Sequence, residues 1–343
     1  MDSALGFDAR RLPVSGAGSP FVVLLLATLM AFVPTGSGAL VQNSEITPAV
    51  HPEAAADELA EIMVETREPR FVAPTLRDQI GRIWAPVFIN GRGPFRLVLD
   101  TGASHSGVTA MVALALGIPT DQAPAMLLHG VTGQATVPAI HVDSLSFGDL
   151  DVAPEVLPIV PDALGGAQGV LGSEGLANKR IFIDFRHDQI KITYSRGERA
   201  GYGFVDVPFR SIKGQLIVVD AMVGRVHCKG IIDTGGQTTI GNLALRRALS
   251  ATSATFGFRG KPDVIQGATL DIEPGELLRT PPIQFGPVQI LDYGVTYADL
   301  YIFKQWKMTA EPAILIGMDA LGTLDTFIID YRRHELQLKM SRG

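Results

Sequence analysis

Phe95-Arg96-Leu97-Val98-Leu99-Asp100-Thr101-Gly102-Ala103-Ser104 decides how the rest of this chain is read. The apolar run Leu97 to Leu99 predicts a buried strand. Asp100 ends that run, and Gly102 lets the chain turn closely where a side chain would clash. A carboxylate at the end of a buried strand is costly unless it is hydrogen-bonded or shares a proton. The same device returns at Gly230-Ile231-Ile232-Asp233-Thr234-Gly235-Gly236.

The flanks of the two stretches repeat as well. Gly91 lies nine residues before Asp100, and Gly224 lies nine before Asp233. Thr109 and Asn242 lie nine residues after their aspartates, each placed to cap a following helix. Val170-Leu171-Gly172 is echoed by Leu315-Ile316-Gly317, with Leu176 and Leu321 after them as starts of short helix faces. Val264 to Thr269 parallels Gly130 to Thr136, and Phe327 to Tyr331 parallels Phe182 to Phe185. Between these points run short β-rich segments bounded by glycine and asparagine, such as the Asn90-Gly91 hairpin signal. The pattern predicts an all-β chain of two similar lobes about an approximate two-fold axis.

Composition narrows the function. A net charge of -6 and the lack of a basic run exclude a nucleic-acid footprint. The single Cys228 excludes an internal disulfide framework and reads as a buried structural thiol. Seven scattered histidines, with no pair at helical ligand spacing, argue against a metal site. His105 reads as a surface residue, and Trp84 and Trp306 as packing residues.

The amino-terminal region differs from the rest. Arg10 and Arg11 precede an apolar run from Phe21 to Val33, and Ser37-Gly38-Ala39 follows. That order reads as a secretory signal cleaved after Ala39, with an uncleaved membrane anchor as the alternative. Residues 40–78 form a connecting segment or pro-segment, with a short helix around Leu59, Ile62 and Met63. Residues 79–199 then form the first lobe and 200–343 the second. The expected location is outside the cytoplasm, periplasmic or secreted.

A two-fold axis brings equivalent points together when they lie near it, and Asp100 and Asp233 are equivalent. Two adjoining carboxyls cannot both ionise cheaply, so the pair offers a base and an acid at once. One takes a proton from water while the other protonates a carbonyl, which is peptide hydrolysis with no cofactor.

Here the residues resemble a known family. Asp100-Thr101-Gly102-Ala103 and Asp233-Thr234-Gly235-Gly236 resemble the catalytic loops of aspartic proteases. Val170-Leu171-Gly172 and Leu315-Ile316-Gly317 resemble that family's second signature, and the likeness spans roughly residues 80–340. Short lobes and Ala103 after the glycine are more similar to retropepsins than to pepsin, as if a retropepsin dimer were fused into one chain of the bacterial two-lobe type. The resemblance implies an aspartic endopeptidase, monomeric with an internal two-fold axis, acting on peptide or protein substrates. It implies that Asp100 and Asp233 hold the attacking water. Thr101 and Thr234 would bond across the lobes, and Gly102 and Gly235 would offer amides to the carboxylates. The stretch His129 to Ala135 would form the flap over substrate, with Gly130, Val131, Thr132 and Gly133 at its tip. The flap lacks the tyrosine expected of pepsins, and Gly236 departs from the pattern, which predicts a looser second loop. The alternative function is an exported peptide-binding protein that keeps the cleft with little turnover. Ala103 and Gly236 lack a hydroxyl that could bond the carboxylates, which predicts an activity maximum on the order of pH 4 to 7.

Overall fold

The computed structural model describes residues 81–340, apart from 153–154, 163, 214–215, 253–259 and 292. It also describes the short strands Val23–Leu25 and Ala73–Pro74. The rest of the expected signal and the connecting segment with its helix lie outside the described residues.

The asparagine and glycine at 90–91 both adopt positive φ, 50° and 68°, the geometry of a tight hairpin turn. That turn joins strand Trp84–Ile89 to strand Arg92–Leu99, whose buried end delivers Asp100. Strand Gly169–Leu171 then lies parallel to it, with Leu171 opposite Leu99. The second copy repeats this arrangement. Strand Leu216–Val223 pairs with Val226–Ile232, and Ala313–Ile316 lies parallel with Ile316 opposite Ile232. In each lobe six strands follow one spatial order. In the first they are Gly107–Val108, Gly169–Leu171, Arg92–Leu99, Trp84–Ile89, Leu145–Phe147 and Leu150–Val152. In the second they are Ile240–Gly241, Ala313–Ile316, Val226–Ile232, Leu216–Val223, Ile283–Phe285 and Val288–Ile290. The protein is therefore an all-β, bilobal fold, as the repeat implied.

The second lobe's six strands belong to a larger eleven-stranded sheet, and a separate six-stranded sheet joins the lobes. Its central strands are Lys179–Asp184 from the first copy and Leu324–Asp330 from the second, paired antiparallel. Phe182 lies opposite Ile328, its own counterpart in the repeat, so the two-fold axis passes through this pairing. Alternate residues of both strands, Ile181, Ile183, Phe327 and Ile329, enter the main apolar core.

Helix signals were uneven. Asn242 caps helix Leu243–Thr252, its Oδ1 accepting the Leu245 amide at 2.8 Å. Thr109 occupies the cap position of Ala110–Leu116 but makes no side-chain capping bond. Gly117 ends that helix in the left-handed region, with φ 76°. The short helix expected at Leu176 is absent: residues 173–178 form turns, and only the second copy has a helix there, Met318–Leu321. Gly175 at φ 74° breaks the first copy's turn where a helix would need negative φ.

Asp330 is the polar anchor of the joining sheet. It is fully buried, and its Oδ2 accepts Arg180 Nη1 and Ser195 Oγ, each at 2.9 Å. Arg180 also donates to Gln337 Oε1 at 2.6 Å. Removing Asp330 leaves the buried Arg180 charge with only the longer ion pair to Glu198, at 3.8 Å. Asp330→Ala should lower stability by about 3–5 kcal/mol, read as the shift in a urea unfolding curve. Replacing both partners with apolar residues, Arg180→Met with Asp330→Leu, should recover most of the loss.

Candidate active site

The two aspartate loops meet at the axis, held by four reciprocal bonds. Thr101 Oγ1 donates to the Ile232 carbonyl at 2.7 Å and accepts the Thr234 amide at 3.1 Å. Thr234 Oγ1 donates to the Leu99 carbonyl at 2.7 Å and accepts the Thr101 amide at 3.1 Å. Both threonines are buried, so each bond lost would orphan a backbone group.

Each aspartate is fixed from beneath by its own loop. Asp100 Oδ1 accepts the amides of Gly102 (2.8 Å) and Ala103 (3.1 Å). Asp233 Oδ1 accepts those of Gly235 (3.1 Å) and Gly236 (2.9 Å). The glycines are required by crowding. A Cβ at Gly102 would stand 3.1 Å from both Asp100 Oδ1 and Asp233 Oδ1. At Gly235 it would stand 2.2 Å from Asp100 Cγ. The second loop is not loosened by Gly236. Its amide holds Asp233, and its carbonyl accepts the Met318 amide at 2.8 Å.

The outer oxygens differ from the inner ones. Asp100 Oδ2 and Asp233 Oδ2 are buried and receive no donor from any other described group. The two carboxyls are near enough for the charge of Asp233 to act on Asp100, so one of them keeps a proton. Burial raises the pKa of Asp100 well above the usual carboxylate value, and the charge of Asp233 raises it further. Burial raises that of Asp233 too, against the loop amides, the bond from Asp100 and the charge of Arg82. The pair behaves as one acid with a shared proton.

Around the loops lies a second pair of matched braces. Ser106 Oγ accepts the Gly172 amide at 3.0 Å, and the Ser106 amide donates to Glu174 Oε1 at 2.7 Å. Thr239 Oγ1 accepts the Gly317 amide at 3.1 Å, and the Thr239 amide donates to Asp319 Oδ2 at 2.8 Å. Burial pushes Glu174 up to about 7. The repeat spacing holds the signal for these carboxylates, since Glu174 follows Gly172 as Asp319 follows Gly317.

The stretch expected to form a flap is a hairpin. Strands Ala125–His129 and Gln134–Val142 flank a tip of Gly130, Val131, Thr132 and Gly133. A second hairpin, Lys261–Gly267 with Ile272–Thr280, faces it. The tips cross: Val131 is buried in the apolar cluster of the second lobe, and Ala268 in that of the first. Thr132 Oγ1 accepts the Gly267 amide at 3.1 Å. The Val131 carbonyl accepts the Ile302 amide at 3.0 Å. Tyr301 adds a latch. Its hydroxyl donates to Gln134 Oε1 (2.7 Å) and accepts Gln305 Nε2 (2.7 Å). With its one proton given away, it must also accept from His129 Nδ1, at 2.8 Å. Burial lowers the ionisation of His129, which favours the neutral ring this arrangement uses. Under these hairpins both aspartates are wholly enclosed.

His105 is half-buried, Cys228 is a buried thiol pushed up to about 12, and both tryptophans are buried. Trp306 and Leu216 wall a small space beside Thr101, Gly102, Ala103 and Ser104.

A sequence model of the aspartyl protease family matches residues 85–174. The match runs from the hairpin that delivers Asp100, through the first flap, to Glu174. No curated protein matches the chain.

Raised carboxyls cost stability in a defined pH window. The folded chain keeps protons that the unfolded chain releases in the ordinary carboxylate range, so stability falls as pH rises through and above that range. Asp100→Asn removes one ionising group and gives Asp233 Oδ2 a donor. Thermal melts should show a gain on the order of 1–3 kcal/mol at pH 7 and little at about pH 4. Tyr301→Phe should leave the dyad in place but speed hydrogen exchange at the Gln134–Val142 amides, since the latch loses its three side-chain bonds.

Proposed function

We propose that this protein is an aspartic endopeptidase in which Asp100 and Asp233 share one proton and activate a water against the peptide carbonyl. The observation that carries the reading is the pair of outer oxygens. Both are buried, burial raises the pKa of both aspartates, and no donor among the described residues occupies either oxygen. A water between two such oxygens can give a proton to the anionic carboxyl while the neutral one protonates the carbonyl. Attack needs no covalent intermediate, and the crossed flaps exclude bulk water from the charges that develop.

The substrate is an extended peptide with apolar residues flanking the scissile bond. Leu216 and Trp306 beside the first loop, and the apolar clusters under the flap tips, favour such side chains. We also propose export, on the basic-apolar-small order of residues 10–39. Mass spectrometry of the native protein should find a chain that begins near residue 40. An intact segment from Met1 would favour the anchor.

The direct test is hydrolysis of a mixed peptide library, with and without pepstatin. Asp100→Asn and Asp233→Asn should each reduce kcat/KM by ~10²–10⁴-fold or more while the fold is kept. Near wild-type cleavage by either variant would end the shared-dyad reading. The pH dependence has a definite sign. The active form carries one proton, and raised pKa values move both limbs of the profile to higher pH. The maximum should fall at about pH 5–7. A maximum in strongly acid solution, with the protein folded at neutral pH, would contradict it.

A further inference from the structure

The two catalytic loops are copies, and so are their bonds. Each Oδ1 accepts two amides, and each threonine makes the same two contacts across the axis. Ala103 and Gly236 differ, yet each gives its aspartate the same amide bond. A base and an acid must nevertheless be assigned, so the distinction has to come from outside them.

The repeat breaks at two positions next to the dyad. Trp84 is paired with Val98, and Val218 with Ile231, on equivalent rungs of the two lobes. Two residues earlier stand Arg82 in the first lobe and Leu216 in the second. Leu216 lines a small space together with Thr101, Gly102, Ala103 and Ser104, the loop of the opposite lobe. Arg82 holds the symmetric position, and its charge acts on Asp233, the aspartate of the opposite loop. Arg82 is fully buried, and its Nη2 donates to the Leu164 carbonyl at 2.6 Å. The second break is Tyr331, which stands where the first copy has Phe185. It is buried, its hydroxyl has no partner among the described residues, and the charge of Asp100 opposes its ionisation after burial does. A cation therefore serves one carboxyl and a neutral phenol the other.

We propose that Arg82 decides where the dyad proton resides, holding Asp233 as the anion that takes the proton of water and leaving Asp100 as the acid that protonates the substrate carbonyl. This rests on the peptidase reading. In the forward step Asp233 removes a proton from water as its oxygen adds to the carbonyl carbon, and Asp100 gives its proton to the carbonyl oxygen. In the second step the proton on Asp233 passes to the amide nitrogen as the C–N bond breaks. One diol hydroxyl returns its proton to Asp100, which restores the starting dyad. Arg82 touches no reacting atom; it is a positioning residue that acts through Asp233. A buried guanidinium is expensive unless its field is used. An opposite charge near a carboxylate favours its charged form, and Asp233 is the member whose upward shift Arg82 opposes. The charged and titratable groups bearing on the pair are Arg82 on the Asp233 side and Tyr331 on the Asp100 side.

The test is a carbon-13 NMR titration of the full chain labelled at the aspartate side-chain carboxyl, with Asp100→Asn and Asp233→Asn assigning the two signals. In the wild type, Asp233 should show the ionised shift at a pH where Asp100 remains protonated. In Arg82→Leu, which copies the residue at the symmetric position, the Asp233 midpoint should rise by about one pH unit or more. The acid limb of kcat/KM should move with it, and kcat should fall more than KM changes. Arg82→Lys should keep most of the wild-type midpoint. An unmoved midpoint in Arg82→Leu overturns the proposal, and so does Asp100 carrying the charge in the wild type. If Arg82→Leu does not fold, the wild-type assignment decides alone. Lack of peptide hydrolysis with the assignment intact would remove the peptidase reading and leave the proton's place standing.

Discussion

Two carboxyls at the meeting of two lobes, wholly removed from water, set the terms for what surrounds them. Burial opposes the ionisation of both, and the charge of Asp233 opposes that of Asp100 further. The fold answers with bonds that come from the backbone. Four loop amides hold the inner oxygens, and the threonine bonds tie each loop to the strand that carries the other. The strands are set in turn by the parallel rungs Leu99–Leu171 and Ile232–Ile316, which receive the aspartate amides at 2.9 and 3.0 Å. The joining sheet fixes the lobes about the same axis, since Phe182 pairs with its own counterpart Ile328. An error at any of these levels would separate the carboxyls and dissolve the shared proton.

Much of this could be read from residue order, because duplication makes local signals confirm each other. One aspartate ending an apolar run is common; two with equal flanks point to an axis. The hairpin at Asn90-Gly91 and the cap at Asn242 follow from backbone chemistry that acts within a few residues. What escaped the sequence depends on distant contact. Gly236 reads as a loosening, yet Met318, some eighty residues on, pins its carbonyl. Leu176 reads as a helix start, but Gly175 turns the chain first. Arg82 stands just before the strand Trp84–Ile89, and no local pattern marks it as buried. The structure encloses it, with Nη2 on the carbonyl of the distant Leu164. The second hairpin is visible as a parallel of the first, but the exchange of Val131 and Ala268 between lobes is a matter of packing.

That exchange links access to cohesion. Each flap tip places an apolar residue among the other lobe's buried side chains, so the hairpins cannot lift without exposing Val131 and Ala268 together. Opening also breaks the Thr132–Gly267 and Val131–Ile302 bonds and the Tyr301 latch. A polar peptide entering the cleft would restore few of these contacts. The extended apolar peptide proposed as substrate would offset them, with its side chains in the space the tips vacate and its backbone on the freed hairpin groups. The selectivity of such a site therefore lies in the cost of opening as much as in any pocket. Closure after entry returns the dyad to the dry setting in which one of its carboxyls must keep its proton.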